Sequence, residues 1–130
     1  MQFFAYGHAN IEGTHKTTFE LTQHTSVTPK GDCIIGTRAA FDADALAGLA
    51  QVSKRLKITL KARSYSEIIV GESNRSYVAG PELVIRKTDF VSPRTLVINA
   101  DKAASDFARN FVLALKDPKE QLTVTVERLE

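Results

Sequence analysis

Leu56-Lys57-Ile58-Thr59-Leu60-Lys61-Ala62-Arg63 alternates apolar with polar residues, the period of a half-buried β-strand. At an offset of 64 (122 − 58), Ile58-Thr59-Leu60 meets Leu122-Thr123-Val124, and the alternation runs on through Thr125, Val126 and Glu127. One strand pattern is therefore written twice. The same offset joins Gly7-His8-Ala9-Asn10 to Gly71-Glu72-Ser73-Asn74, Phe4 to Ile68, Phe19 to Leu83, Leu21 to Ile85 and Thr28-Pro29 to Ser92-Pro93. After the prolines it becomes 61: Ile35 meets Leu96, Ala39 meets Ala100 and Leu46 meets Phe107. Half of 130 residues is 65, so the pattern predicts one domain, 1–130, with an internal duplication over approximately 1–65 and 66–130.

Shorter β-branched or aromatic runs bounded by Gly, Pro, Asn and Asp supply the other strands. They are Phe3–Tyr6, Thr17–Thr22, Cys33–Thr37, Glu67–Val70, Glu82–Arg86 and Thr95–Ile98. Two segments change to the helical period. In 101–116, Ala104, Phe107, Ala108, Phe111, Val112 and Leu115 share one face, with Asn99 or Asp101 placed to cap it and Pro118 to stop it. In 42–54, Leu46, Leu49 and Ala50 make a weaker stripe behind Asp42 and Asp44, which suit the positive end of a helix. Each half then reads strand-strand-strand-helix-strand. The fold class expected is α+β: a mostly antiparallel, twisted sheet of about eight strands with two helices packed on one face. That twist leaves room for a partial barrel. The longest loop is expected at 72–81.

The composition excludes several classes. Hydrophobic residues make up 43% and charged residues 25%, the balance of a chain that folds on a core rather than a disordered or coiled-coil one. Seventeen basic against fifteen acidic residues leave +2, far from the charge of a nucleic-acid coat. One cysteine forbids an intramolecular disulfide and favours a reducing compartment. No run of about 18 apolar residues predicts a membrane span, and Met1–Tyr6 lacks the features of a secretory leader. A cytoplasmic location is expected, with no membrane partner. Self-association is left open.

Three groups of residues carry chemistry. Polar turns in both halves hold His8, His15, Lys16 and Asp32, then Lys87, Asp89 and Arg94. If a two-fold relation brought them into one cleft between the halves, Lys87 and Arg94 would hold a small anionic metabolite. Asp89 would orient one of them. His15, with a reference pKa near neutrality, would exchange a proton, and Asp32 is the second catalytic candidate. The alternative is an RNA- or DNA-binding accessory role for the basic strand 54–63, where Lys57, Thr59, Lys61 and Arg63 share a face that would track phosphates. No aromatic lies on that strand face to stack bases. A third reading is a structural or oligomer-forming protein. His8, His15, His24 and Cys33 lack zinc-ligand spacing, so no metal is expected. Cys33 is in phase with Ile35 and should point inward as an inert thiol. No phosphate-loop, dinucleotide, nucleophile-elbow or zincin motif occurs, and no cofactor is implied.

Gly7-His8-Ala9-Asn10-Ile11, Thr14-His15-Lys16-Thr17-Thr18-Phe19-Glu20 and Gly31-Asp32-Cys33-Ile34-Ile35-Gly36 resemble the first half of a small archaeal family, number 371 among the domains of unknown function. Val84–Phe90, Arg94-Thr95-Leu96 and Ala100-Asp101-Lys102-Ala103-Ala104 with Asp106 resemble its second half. The resemblance spans nearly the whole chain. It implies an archaeal cytoplasmic protein with one duplicated domain, and it brings no activity with it. The chain departs from the pattern at Ala39-Ala40-Phe41, where the family tends to carry Ala-Asp-Lys before its first helix.

Overall fold

Strict alternation builds the centre of the molecule. In the computed structural model, which describes residues 1–129, strand β4 (Arg55–Ala62) buries Leu56, Ile58, Leu60 and Ala62 and turns Lys57, Thr59 and Lys61 outward. The other strands are β1 (Gln2–Tyr6), β2 (Thr18–Thr22), β3 (Ile34–Gly36), β5 (Tyr65–Ser73), β6 (Glu82–Arg86), β7 (Thr95–Ile98) and β8 (Gln121–Leu129). They form one sheet in the order β1-β8-β4-β5-β7-β6-β2-β3. Five of its neighbouring pairs are antiparallel. The pairs β2–β3 and β6–β7 are parallel. Helix α1 (Ala43–Val52) follows β3, and helix α2 (Arg109–Ala114) precedes β8. The class is α+β, as the strand and helix periods predicted.

The two edge strands come within reach of each other. Tyr6 and Thr37 form an isolated bridge, exchanging N–H···O bonds of 2.8 and 2.7 Å. No ladder extends from that bridge, and the sheet does not close into a barrel.

The ladders of the two halves share one arithmetic. In β4–β8, Leu60 pairs with Val124, and 124 − 60 is 64. In β2–β6, Glu20 pairs with Val84, and 84 − 20 is 64. Gln2 pairs with Thr125 in β1–β8 as Ser66 pairs with Lys61 in β5–β4. The parallel pairs slip at matching places, between Glu20 and Leu21 and between Val84 and Ile85. Arg38 and Asn99, 61 apart, both have φ of 49°. The registers thus have the pattern of a local two-fold relation, with Leu60/Val124 at one pole and Glu20/Val84 at the other.

Packing explains the repeated glycines. A Cβ on Gly7 would stand 2.2 Å from the carbonyl oxygen of Asp117, and one on Gly71 would stand 2.5 Å from Val97 Cγ1. Both positions need a hydrogen where any other residue has carbon. The inward side chains of all strands join one core with Leu46 and Ala50 of α1 and Phe111 and Val112 of α2. Phe107 sits at its middle, edge-on to Phe19 at 5.1 Å and to Phe111 at 5.8 Å.

Three local expectations need correction. The segment 101–116 is not one helix: a 3-10 turn, Ala104–Asp106, is followed by extended Phe107 and Ala108 and then by the short α2. The break has its own bonds, since Asp106 accepts from Ala103 N at 2.8 Å and Glu67 accepts from Ala108 N at 2.9 Å. Neither Asn99 nor Asp101 caps it; Asn99 is left-handed backbone and Asp101 accepts from Val70 N at 3.0 Å. The longest connections are residues 7–17 and 23–33, not 72–81, because β5 runs on to Ser73. Asp42 does cap α1, accepting from Ala45 N at 3.1 Å.

Candidate functional site

The outer face of β1, β8, β4 and β5 is concave. It holds a groove of about 420 Å³ lined by Gln2, Lys57, Thr59, Lys61, Ser66, Ile68, Thr123, Thr125 and Glu127. Alternation puts these side chains there, and register sets them in rows. One row crosses the four strands as Phe4, Thr123, Lys61 and Ser66. The next is Gln2, Thr125, Thr59 and Ile68. Lys57 stands opposite Glu127 in a third. Phe4 is 43% exposed and Ile68 46%, so two apolar side chains flank a floor of hydroxyls at the Leu60/Val124 pole.

The basic stripe is narrower than its sequence. Arg63 has φ of 54° and pairs with Glu120 rather than continuing the row of lysines. Lys57 and Lys61 form no ion pair within 4 Å among the described residues. Strand β4 has no aromatic on this face, but the sheet brings one: Phe4, more than fifty residues away, lies two strands over in the row of Lys61.

The turn residues are distributed differently. His8 Nδ1 accepts from Asn10 N at 3.0 Å, a local turn bond. His15 Nδ1 accepts from Thr17 N and Thr18 N, both at 3.1 Å. The Asp32 carbonyl accepts from His15 N at 3.3 Å, and Lys87 N donates to the Thr17 carbonyl, so His15, Asp32 and Lys87 come from neighbouring stretches. Lys87 Nζ pairs with Asp106 at 3.1 Å. Lys16 and Asp89 are exposed. Arg94 is engaged elsewhere, by Glu82 and, at 3.5 Å, by Glu20. No hydrogen bond or ion pair joins His15 to Arg94 among the described residues.

Arg94 belongs to a cluster at the Glu20/Val84 pole that single-strand patterns do not reveal. Glu20 is only 4% exposed. Burial, and then the charge of Glu82, push its carboxyl up to about 7, against the pull of Arg94. Cys33 Sγ lies 3.8 Å from Glu20 Oε1. The thiol therefore does not enter the core with Ile35; it is half-buried on the outer side. Burial, Glu20 and Asp32 raise its pKa to about 11, so at neutral pH it is not a nucleophile. The register slip in β2–β3 uncouples Cys33 from the alternation that predicted its direction. Arg86 donates to Thr95 Oγ1 at 2.9 Å and to Ser92 Oγ at 3.4 Å, with its guanidinium 4.9 Å from the centre of the Phe90 ring. The sign that could have pointed here is a glutamate in the middle of Thr18-Phe19-Glu20-Leu21-Thr22, a strand with every residue buried.

Among the described residues, no three of His, Cys, Asp and Glu stand together as metal ligands. No helix is long and apolar enough to cross a membrane.

A family model, the domain of unknown function DUF371, matches residues 3–129. The chain belongs to that family. It is also 35% identical over 122 residues to an uncharacterized protein of Methanocaldococcus jannaschii, covering 89% of this chain and 90% of that protein. The matched residues include both poles of the sheet.

Proposed function

We propose that the chain binds single-stranded nucleic acid across the outer face of β1, β8, β4 and β5. The observation that carries this reading is the row Phe4–Thr123–Lys61–Ser66, in which an exposed ring, two hydroxyls and an ammonium unpaired among the described residues lie side by side. Bases stack on any aromatic face, and phosphates need cations beside it. The hydroxyls of Thr59, Thr123, Thr125 and Ser66 both donate and accept, which suits sugar and base edges. With Lys57 and Lys61 as the main cations, the electrostatic part of the affinity is small and strongest at low salt.

The test is fluorescence anisotropy with labelled single-stranded RNA and DNA oligonucleotides at low ionic strength. Binding should be weakened by Phe4→Ala, and Lys57→Ala with Lys61→Ala should flatten its salt dependence. Absence of binding by the wild-type chain at low salt ends this reading.

A further inference from the structure

The pole at Glu20/Val84 carries a cluster that the fold does not require. The two-fold relation gives each of its residues a counterpart in the same backbone setting. At offset 64, Glu82 corresponds to Thr18, Arg86 to Thr22 and Val84 to Glu20. At offset 61, Arg94 corresponds to Cys33 and Ser92 to Gly31, so the backbone changes offset before Ser92, and the pairing of Thr28-Pro29 with Ser92-Pro93 does not hold. The two settings share a pair of backbone bonds. Glu20 N donates to the Cys33 carbonyl at 2.9 Å, and Val84 N to the Arg94 carbonyl at 3.1 Å. Ile34 N donates to Gly31 O at 3.1 Å, and Thr95 N to Ser92 O at 3.0 Å. Threonine, cysteine and glycine build this turn and ladder in one half. The other half builds them with two arginines and a glutamate. At the pole itself, valine serves where its counterpart is a buried glutamate.

Charge placed where neutral residues suffice for folding carries a desolvation cost and calls for another explanation. The geometry supplies one. Arg86 has no carboxylate within ion-pair distance among the described residues; it is held by Ser92 and Thr95 over Phe90. Arg94 is 50% exposed and divided between Glu82 and Glu20. Both arginines meet at one turn, Arg86 through its bonds to Ser92 and Thr95 and Arg94 as a residue of that turn, and after burial the charge of Arg94 lowers the pKa of Arg86, the direction that repulsion gives. A small oxyanion between them would relieve that repulsion and take hydrogen bonds from planar forks suited to it.

We propose that this seam between the two halves is a proton-linked binding site for a small oxyanion, held by Arg86 and Arg94. An anion that draws Arg94 away leaves Glu82 and Glu20 facing each other with less positive charge between them. The groups that act on Glu20 are Glu82 and Arg86 from β6, Arg94 just before β7 and Cys33 before β3, with Asp32 acting on the Cys33 thiol. Its ionised form is favoured by Arg94, by the Cys33 thiol hydrogen bond and by the charge of Arg86, and of these only the arginines can be drawn off by an anion. Losing one to the anion drives a proton from solvent onto the Glu20–Glu82 pair, and the neutral pair balances the added negative charge. No covalent step is involved.

Sulfate is the probe, because it does not itself titrate near neutrality. Amide shifts of the full chain at pH 7 should move at Arg86, Ser92 and Thr95 on adding sulfate and stay still at Lys57–Lys61. Calorimetry in two buffers of different ionisation enthalpy should show net proton uptake. Arg86→Gln and Arg94→Gln should each weaken sulfate at least tenfold, and Glu20→Gln should bind it without proton uptake. Shifts centred on the open face, no sulfate binding at millimolar concentration, or unchanged binding in Arg86→Gln would each overturn the proposal. Proton uptake retained in Glu20→Gln would remove the linkage.

Discussion

Glu20 and Val84 face each other across the β2–β6 ladder, occupy the same place in their respective halves, and are both buried. One is an acid and the other a hydrocarbon. The difference has a thermodynamic signature that can be measured without knowing any ligand.

Glu20 has a pKa raised from 4.5 to about 7 in the folded chain. A carboxyl raised by folding holds its proton where the unfolded chain has lost it. Its contribution to stability is therefore full below about pH 4.5 and is lost as pH rises to about 7. The ceiling on that loss is about 3 kcal/mol. Urea melts from pH 4.5 to 8 should show the decline in the wild type and a flatter profile in Glu20→Gln. A Glu20→Gln profile parallel to the wild type would assign the decline to other groups.

Arg63 is the basic residue of the stripe that the fold withdraws, through its left-handed backbone and its bond to Glu120. Arg63→Ala should leave nucleic-acid binding and its salt slope nearly unchanged. Lys61→Ala should reduce the slope by about 0.7, the value for one contact to a single strand. Anisotropy titrations over a range of salt concentrations separate the two.

Phe107 joins Phe19 and Phe111 by edge-on contacts and is buried. Phe107→Ala should destabilise the chain by about 3–5 kcal/mol, through lost burial and the cavity left behind. Chemical denaturation gives the value directly, and a loss under 1 kcal/mol would mean the core collapses around the site.

Asp42 accepts from Ala45 N at the start of α1. Asp42→Ala should cost about 1 kcal/mol, and Asp42→Asn much less, since asparagine also caps. Equal losses in the two variants would point to charge rather than the cap.

The strands were legible because burial on one side imposes a period of two, and β4 and β8 keep that period over most of their length. The offset of 64 could be read from Gly7 and Gly71 because both are held by steric contact, which tolerates no substitute. The segment 101–116 reads as one helix because its apolar stripe serves two short pieces that extended Phe107 and Ala108 separate. Glu67, far away in sequence, supplies the bond that separates them. The groove was half legible: Lys57 and Lys61 announce themselves within one strand, whereas Phe4 joins them only through β8. The Glu20 cluster was hidden for the same reason. Its members come from β2, β6 and the turns before β3 and β7, and each looks ordinary in its own stretch.

Strand β8 lies between β1 and β4, although its residues follow those of every other strand of the sheet in the chain. While residues 121–129 are still in the ribosome, β1 has no ladder partner and the flank of β4 is bare. The nascent chain therefore carries two open hydrogen-bonding edges beside a completed β4–β5 hairpin, the condition that invites pairing with a neighbouring chain. Fusing a tether after residue 130 that holds β8 inside the exit tunnel should keep the emerged chain protease-sensitive. Lengthening the tether until 121–129 emerge should make it resistant in one step.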